Sequence, residues 1–401
     1  MKISLTLVVV LLVACLAGVA GADASLDAHV AVLKNSGSEP LAFVRKTLKT
    51  HDLIIFDDAL HSAQEPFDFY QKLLRDPEIQ ELSPYVFVEV FSLTAQPQLD
   101  AYFAAESRDP GLLMKVFQDD YSGYGWRYQT YLDLLSAIWD INRKLPAQKR
   151  IKVVGVDQPI YWEAIHTKQD YEIFQDSLLA RDYFLYSVIV EKLDRFASGK
   201  KGLFLTNTRH SYKHLRRANG QLHWNCATFF DQLYPGKTYS VRFHNVILNV
   251  EARSPQTGTR TAEGMEEVKY SWVRMENGLW DRAFREAGNQ PVAVPLRDNV
   301  FGRARYAGNL MLDVREDQTL YDVYDAVVFL APLEELHVSA EFGFIYTGAF
   351  RKEVKRRIEL MQEGNLDTFL KENGVKTVDD LIEILAAGEP QKRNPYAANL
   401  P

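Results

Sequence analysis

Cysteine is almost absent from this chain: among 401 residues only Cys15 and Cys226 carry a thiol. If Cys15 leaves with the N-terminal segment, no intramolecular disulfide can form and the core alone must hold the fold. No Gly-x-Ser-x-Gly elbow occurs, so the usual serine nucleophile is not indicated. A His-Glu-x-x-His or similarly compact metal motif is missing as well. Positive charge is in short supply, and a formal charge of -7 without a basic stripe excludes an electrostatic nucleic-acid surface. The one basic cluster, Arg351-Lys352 to Lys355-Arg356-Arg357, shares its helical spacing with Val354, Ile358 and Met361 and reads as a solvated helix face.

Apolar material is plentiful: 47% hydrophobic and 12% aromatic residues with no low-complexity tract describe a chain able to bury a large core. The only long apolar run follows Lys2, from Ile3 to Ala20, and ends in small residues at Ala22-Asp23-Ala24. That pattern predicts a secretory signal peptide over 1–24, cleaved after Ala22 or Ala24. Leu12-Val13-Ala14-Cys15 also fits a lipobox, in which case Cys15 is lipidated and anchors the chain to a membrane; a retained transmembrane anchor is the third reading. The protein is thus expected to be exported, periplasmic or secreted. Cys226, set in Trp224-Asn225-Cys226-Ala227-Thr228-Phe229-Phe230, reads as a packed, protonated thiol.

Short apolar runs then alternate with helical patterns. Leu53-Ile54-Ile55-Phe56 leads into Asp57-Asp58-Ala59-Leu60-His61, and Leu203-Phe204-Leu205-Thr206 leads into Asn207-Thr208-Arg209-His210. Tyr85 to Phe91 and Ile151 to Asp157 repeat the theme and carry Glu89 and Asp157 near their ends. Further strands are predicted over Thr238 to Leu248 and Asp325 to Leu330, and a polar loop over Ala252 to Gly264. Helices are predicted over Leu41 to Lys49, Pro66 to Leu74, Tyr128 to Asn142, most of Asp170 to Phe196, Ala349 to Glu363 and Val378 to Ala387. The succession predicts an α/β fold with a mostly parallel sheet flanked by helices. One domain over 25–390, a helical and loop insertion at about 215–297, and a tail over 391–401 are expected. Ligands collect at the carboxyl edges of such sheets, so two edges bearing imidazoles suggest one shared site.

Asp58-Ala59-Leu60-His61 with Glu65, Val88-Glu89, Trp126-Arg127, Asn142, Gly155-Val156-Asp157, and Asn207 with His210 resemble the erythromycin-esterase-like and ChaN-like haem-uptake group, the TIKI superfamily. The likeness runs from about Asp52 to Leu330. The family pattern opens with Gly-Glu, a two-residue spacer and His; here Asp57-Asp58 stands in the Gly-Glu place, which shortens the carboxylate and replaces a permissive glycine. For the esterase branch the resemblance implies a motif histidine acting as general base without a metal. The proteolytic branch suggests a divalent metal, and the ChaN-like branch a haem held on an exposed Tyr or His.

The residues support the hydrolytic scheme on their own chemistry. His61, with an ordinary pKa near ~6.5, can take a proton from water while Asp58 or Glu89 orients its other nitrogen. His210 or Arg209 can hold an oxyanion, and Glu65 can fix one of these cations. Arg127, Trp126, Asp157 and Asn207 are the expected substrate contacts, within a pocket lined by Tyr124, Trp126 and Tyr161. No cofactor is required, and a small molecule is the expected partner. His61, Glu89 and His210, with Asp58 or Asp157, form the alternative metal set. Each residue also has a plain structural reading: Asp58 as a helix cap, Glu65 as the i+4 partner of His61, Arg127 as a surface residue, Asp157 as a loop-backbone acceptor. His244 reads as structural, and His214, His223 and His337 carry no signal.

Overall fold

The computed structural model describes residues 24–82, 84–250, 270–306, 314–398 and 400. The expected leader with Cys15 lies outside them up to residue 23, as does the expected loop 252–264. Among the described residues no helix is long and apolar enough to cross a membrane.

The apolar runs become strands β1 (Leu53–Asp57), β2 (Tyr85–Ser92), β3 (Lys152–Asp157), β4 (Gly202–Thr206) and β5 (Thr238–Phe243). A hairpin, β6 (Ile247–Val250) and β7 (Tyr270–Val273), stands apart, and β8 (Val292–Pro295) and β9 (Ala326–Phe329) complete the set. The seven-stranded sheet runs β3-β2-β4-β1-β5-β9-β8, parallel except for the β8 edge. β1 is central, with Leu53 opposite both Gly202 of β4 and Thr238 of β5. Pro295 is tolerated because β8 is an edge strand with one neighbour.

Alternation along β1 shows why its run is continuously apolar. Ile54 and Phe56 face one layer with Phe67, Tyr70, Leu134 and Ile138, whereas Leu53 and Ile55 face the other with Leu185, Ile189, Cys226 and Phe230. The sheet is therefore covered on both sides, as a parallel sheet requires. Helices Gln64–Leu74 and Gln129–Lys144 form the first layer, and helices Arg181–Lys192 and Cys226–Leu233 the second. A further core around Trp280, Phe284, Phe301 and Phe329 takes in Leu33 from the helical stretch 24–36.

One expectation changes. The run Thr238 to Leu248 is not one strand, because buried His244 and Asn245 turn the chain out of the sheet: His244 Nε2 meets Asp281 (3.1 Å), and Asn245 Oδ1 accepts from Val246 N–H (2.8 Å) and Asn394 (3.0 Å). Most of Asp170 to Phe196 is helical, as expected, with one break: Lys168–Ser177, a tight turn Leu178–Ala180 and Arg181–Lys192. That break places Arg181 at a helix N-terminus, where a cation opposes the helix dipole and needs acidic company. The stretch 215–297 is continuous with the sheet at β5 and β8, leaving it at the β6–β7 hairpin and the helix Leu279–Glu286.

Candidate functional site at the carboxyl edge of the sheet

The turn leaving β1 builds the first half of the site. Ala59 N–H donates to Asp57 Oδ1 (2.9 Å) and Leu60 N–H to the Asp58 carbonyl (2.7 Å). Ala59 takes a φ of 61°, in the left-handed region, at a cost on the order of 1 kcal/mol for an L-residue. The strained turn folds His61 back over Asp58, so that Nδ1 lies 3.1 Å from Asp58 Oδ2 and 3.3 Å from the Tyr131 hydroxyl. Asp58 Oδ1 accepts from Asn207 Nδ2 (3.0 Å), which joins the β1 and β4 edges. Asp58 is therefore not a helix cap; the following helix starts behind Ala63 with no side-chain cap. Asp57 is structural, accepting from Thr208 Oγ1 (3.1 Å) and the Tyr324 hydroxyl (2.6 Å).

Glu89 lies in a register shift of β2 against β3, between Val88 and Ser92. Gly155 permits that approach, since a Cβ there would sit 2.7 Å from the Phe91 carbonyl oxygen. Glu89 Oε2 accepts from the Thr206 hydroxyl and from Asn207 N–H (2.9 Å). Glu89 Oε1 receives Arg181 Nη2 (3.0 Å) and His210 Nε2 (3.2 Å), with His61 Nε2 at 3.8 Å. Arg181 also forks onto Asp157, Nε to Oδ1 at 2.6 Å and Nη2 to Oδ2 at 3.0 Å. His210 Nδ1 lies 2.7 Å from Asp182 Oδ1, the oxygen that accepts Cys226 N–H (2.7 Å).

The charges explain the protonation pattern. Burial pushes the Glu89 carboxyl up, but His210, His61 and Arg181 outweigh it and hold the group well below the usual carboxylate range. Burial disfavours a charge on His210, yet Asp182 and Glu89 raise it to about 9. For His61 burial is again outweighed, by Asp58 and Glu89, and its pKa rises. Burial raises Asp58 despite His61. A carboxylate at Nδ1 holds the His61 proton there and leaves Nε2 as the basic nitrogen. His61 is 24% exposed at the side chain against 3% for Glu89 and 6% for His210, so it is the histidine that solvent and ligand reach.

The structure thus brings together His61, Asp58, Glu89, Asp157, Asn207 and His210, and sets Trp126 edge-on to His61 with ring centres 5.1 Å apart. Three expected members stand elsewhere. Glu65 binds His337, through its backbone N–H and Nδ1 (both 2.9 Å), because the helix start turns it toward 337 rather than toward His61. Arg127 pairs with Glu341 (2.9 Å) and donates to the Leu385 carbonyl (3.0 Å), as an anchor for the C-terminal region. Arg209 is exposed beside the cluster, and the cation within it is Arg181. Of the expected aromatic lining, Tyr124 stacks on Phe369 and Tyr161 is 56% exposed. Tyr131 and Trp126 flank His61, and the Tyr121 ring lies 4.7 Å from Arg181. Sequence reasoning missed Arg181 and Asp182; a basic residue opening a helix, beside an excess of strand-end carboxylates, was the available signal.

The alternative metal set does not fit this geometry. Arg181 is the cation against Glu89 Oε1 and lies 3.0 Å from His210 Nε2. Among the described residues no group of three or more His, Cys, Asp or Glu side chains is spaced to hold a metal ion. Cys226 is buried, and burial pushes its thiol well above the ordinary value, in agreement with an inert packed residue.

Comparison with protein-family models and with the sequences of curated proteins returns no match. Solved structures superpose on it at low sequence identity. A succinoglycan biosynthesis protein superposes with a TM-score of 0.50 at 8% identity, over 76% of this chain and 96% of its own. An erythromycin esterase, EreC, in the open conformation of a histidine-to-asparagine mutant, gives 0.47 at 11% identity over 72% of this chain and 92% of its own. A Bacillus cereus protein gives 0.45 at 11% identity over 77% and 99%. At 8% identity, the likeness to the succinoglycan biosynthesis protein is one of fold.

Proposed function

We propose that this protein is an exported hydrolase that cleaves an ester or related bond with a water activated by His61, without a metal ion. The observation that carries the reading is the divided histidine: Nδ1 rests on Asp58 at 3.1 Å, while Nε2 stands 3.8 Å from Glu89 Oε1. That second distance exceeds a hydrogen bond, so Nε2 keeps its lone pair for a water.

In the scheme, Nε2 removes a proton from that water as its oxygen bonds to the carbonyl carbon. The carbonyl π electrons move onto oxygen, where Arg181 supplies the nearby positive charge. Collapse of the tetrahedral species expels the alcohol oxygen, which takes the proton back from Nε2. Water and ester are consumed, acid and alcohol are released, and His61 ends neutral. Asp58 stabilises the transient imidazolium. Glu89, Asp157 and Asp182 position Arg181 and His210.

The test is a panel of activated esters with protein purified untagged and dialysed against a chelator. Retained turnover, with no visible absorption band, supports the scheme. Turnover restored only by added divalent metal, or a Soret band with no turnover, would replace it with the metal or haem reading.

A further inference from the structure

The sequence contains no Asp or Glu between Asp194 and Asp231, although the whole chain carries an acidic excess. The structure puts the second half of that stretch beside the site. β4 delivers Asn207, the short helix Thr208–Ser211 turns His210 inward, and the chain then makes a hairpin-like excursion held by a bridge between Arg216 and Leu222. Its two ends meet again at the site: Asn225 Nδ2 donates to the Arg209 carbonyl (2.8 Å), and Cys226 N–H donates to Asp182, the partner of His210.

The cations of this loop are not equivalent. Lys213 is neutralised by Asp325 (2.7 Å) and Asp231 (3.7 Å), and His214 by Asp231 (2.6 Å). Arg216 Nη1 donates to the Gly220 carbonyl (3.1 Å). Arg209 and Arg217 are exposed, and among the described residues no carboxylate pairs with either. The neighbouring Arg315 is matched by its own Asp317. Trp224, 49% exposed, adds an apolar surface next to Asn225. His223 N–H donates to the Leu215 carbonyl (2.8 Å) and Arg217 N–H to the Gln221 carbonyl (2.9 Å), which closes the excursion that carries Arg217 back onto the chain leading to Asn225.

From this placement we infer that the loop over 209–225 is an anion subsite: the substrate of the proposed hydrolase carries a carboxylate or phosphate that Arg209 and Arg217 receive while its ester reaches His61. Exposed guanidinium groups match either oxyanion bidentately. The inference rests on the hydrolase reading for the bond cleaved, but the anion site can be measured without turnover.

The experiment compares p-nitrophenyl hemisuccinate with p-nitrophenyl acetate on the wild type and on Arg209→Gln/Arg217→Gln. The expected ratio of kcat/KM favours the anionic ester by roughly tenfold, shrinks at high salt, and falls toward one in the double variant. A wild-type ratio near one, or one the double variant leaves intact, overturns the subsite while the hydrolase stands. If neither ester is cleaved, the hydrolase reading fails and the subsite is judged by binding. Succinate and inorganic phosphate are titrated against tryptophan fluorescence, with Trp224→Phe identifying the reporting residue. Saturable, salt-sensitive binding lost in the double variant supports the subsite and shows which oxyanion it takes. No binding of either to the wild type removes it.

Discussion

His210 makes two incompatible contacts through one nitrogen, and this turns its protonation into a measurable quantity. Nε2 lies 3.0 Å from Arg181 Nη1 and 3.2 Å from Glu89 Oε1. A neutral ring can accept from the arginine; a protonated ring donates to the carboxylate. Arg181 is already matched by a two-point contact with Asp157, whereas Asp182 and Glu89 both address His210, so the charged ring prevails. Its pKa of about 9, against an ordinary ~6.5, corresponds to roughly 3 kcal/mol at about 1.4 kcal/mol per unit. The sign follows from the folded state holding the proton more tightly. This stabilisation is complete below about pH 6.5 and is lost as pH rises toward about 9, with a slope near 1.4 kcal/mol per pH unit. Urea unfolding of wild type and His210→Gln at several pH values from 6 to 10, with the histidine titration followed by NMR, reads it directly. The stability difference should shrink steadily across that window. A His210 resonance titrating at or below ~6.5, with a pH-independent difference, would show that the arginine contact wins and refute the argument.

Other consequences are as specific. Arg181→Gln should cost about 3–5 kcal/mol in chemical unfolding, because it leaves Glu89 and Asp157 buried without their cation; adding Asp157→Asn should restore part of the loss. Asp58→Asn should move the acid limb of the pH–rate profile downward, since Asp58 raises the His61 pKa, and should slow turnover by roughly tenfold or more through loss of the oriented tautomer. Cys226 should resist a thiol reagent in the native protein and react on unfolding, as read by the time course of modification.

The sheet was legible because a parallel strand buried on both faces must be apolar throughout, and β1 and β4 are such runs with histidines just beyond them. Glu89 and Asp157 could be found for the same reason, being charges at or near the ends of runs that otherwise exclude charge. Arg181 was hidden because its helix is read from its apolar side, and its partners come from two strands much earlier in the chain. Glu65 misled because four-residue spacing suggests a contact with His61, whereas the chain turns at Ala59 and the helix begins at Gln64, so the two side chains do not share a helix face. The end of β5 was missed because His244 and Asn245 are satisfied by Asp281 and Asn394, partners that local pattern cannot reveal.

The most direct trial of the His61 scheme is kcat/KM for the best ester of the panel, measured on wild type and His61→Ala with circular dichroism and unfolding curves confirming an intact fold. Loss of a general base predicts a fall of about 10²–10⁴-fold with the fold retained. A folded His61→Ala protein that keeps wild-type turnover would contradict the water-activating role of His61.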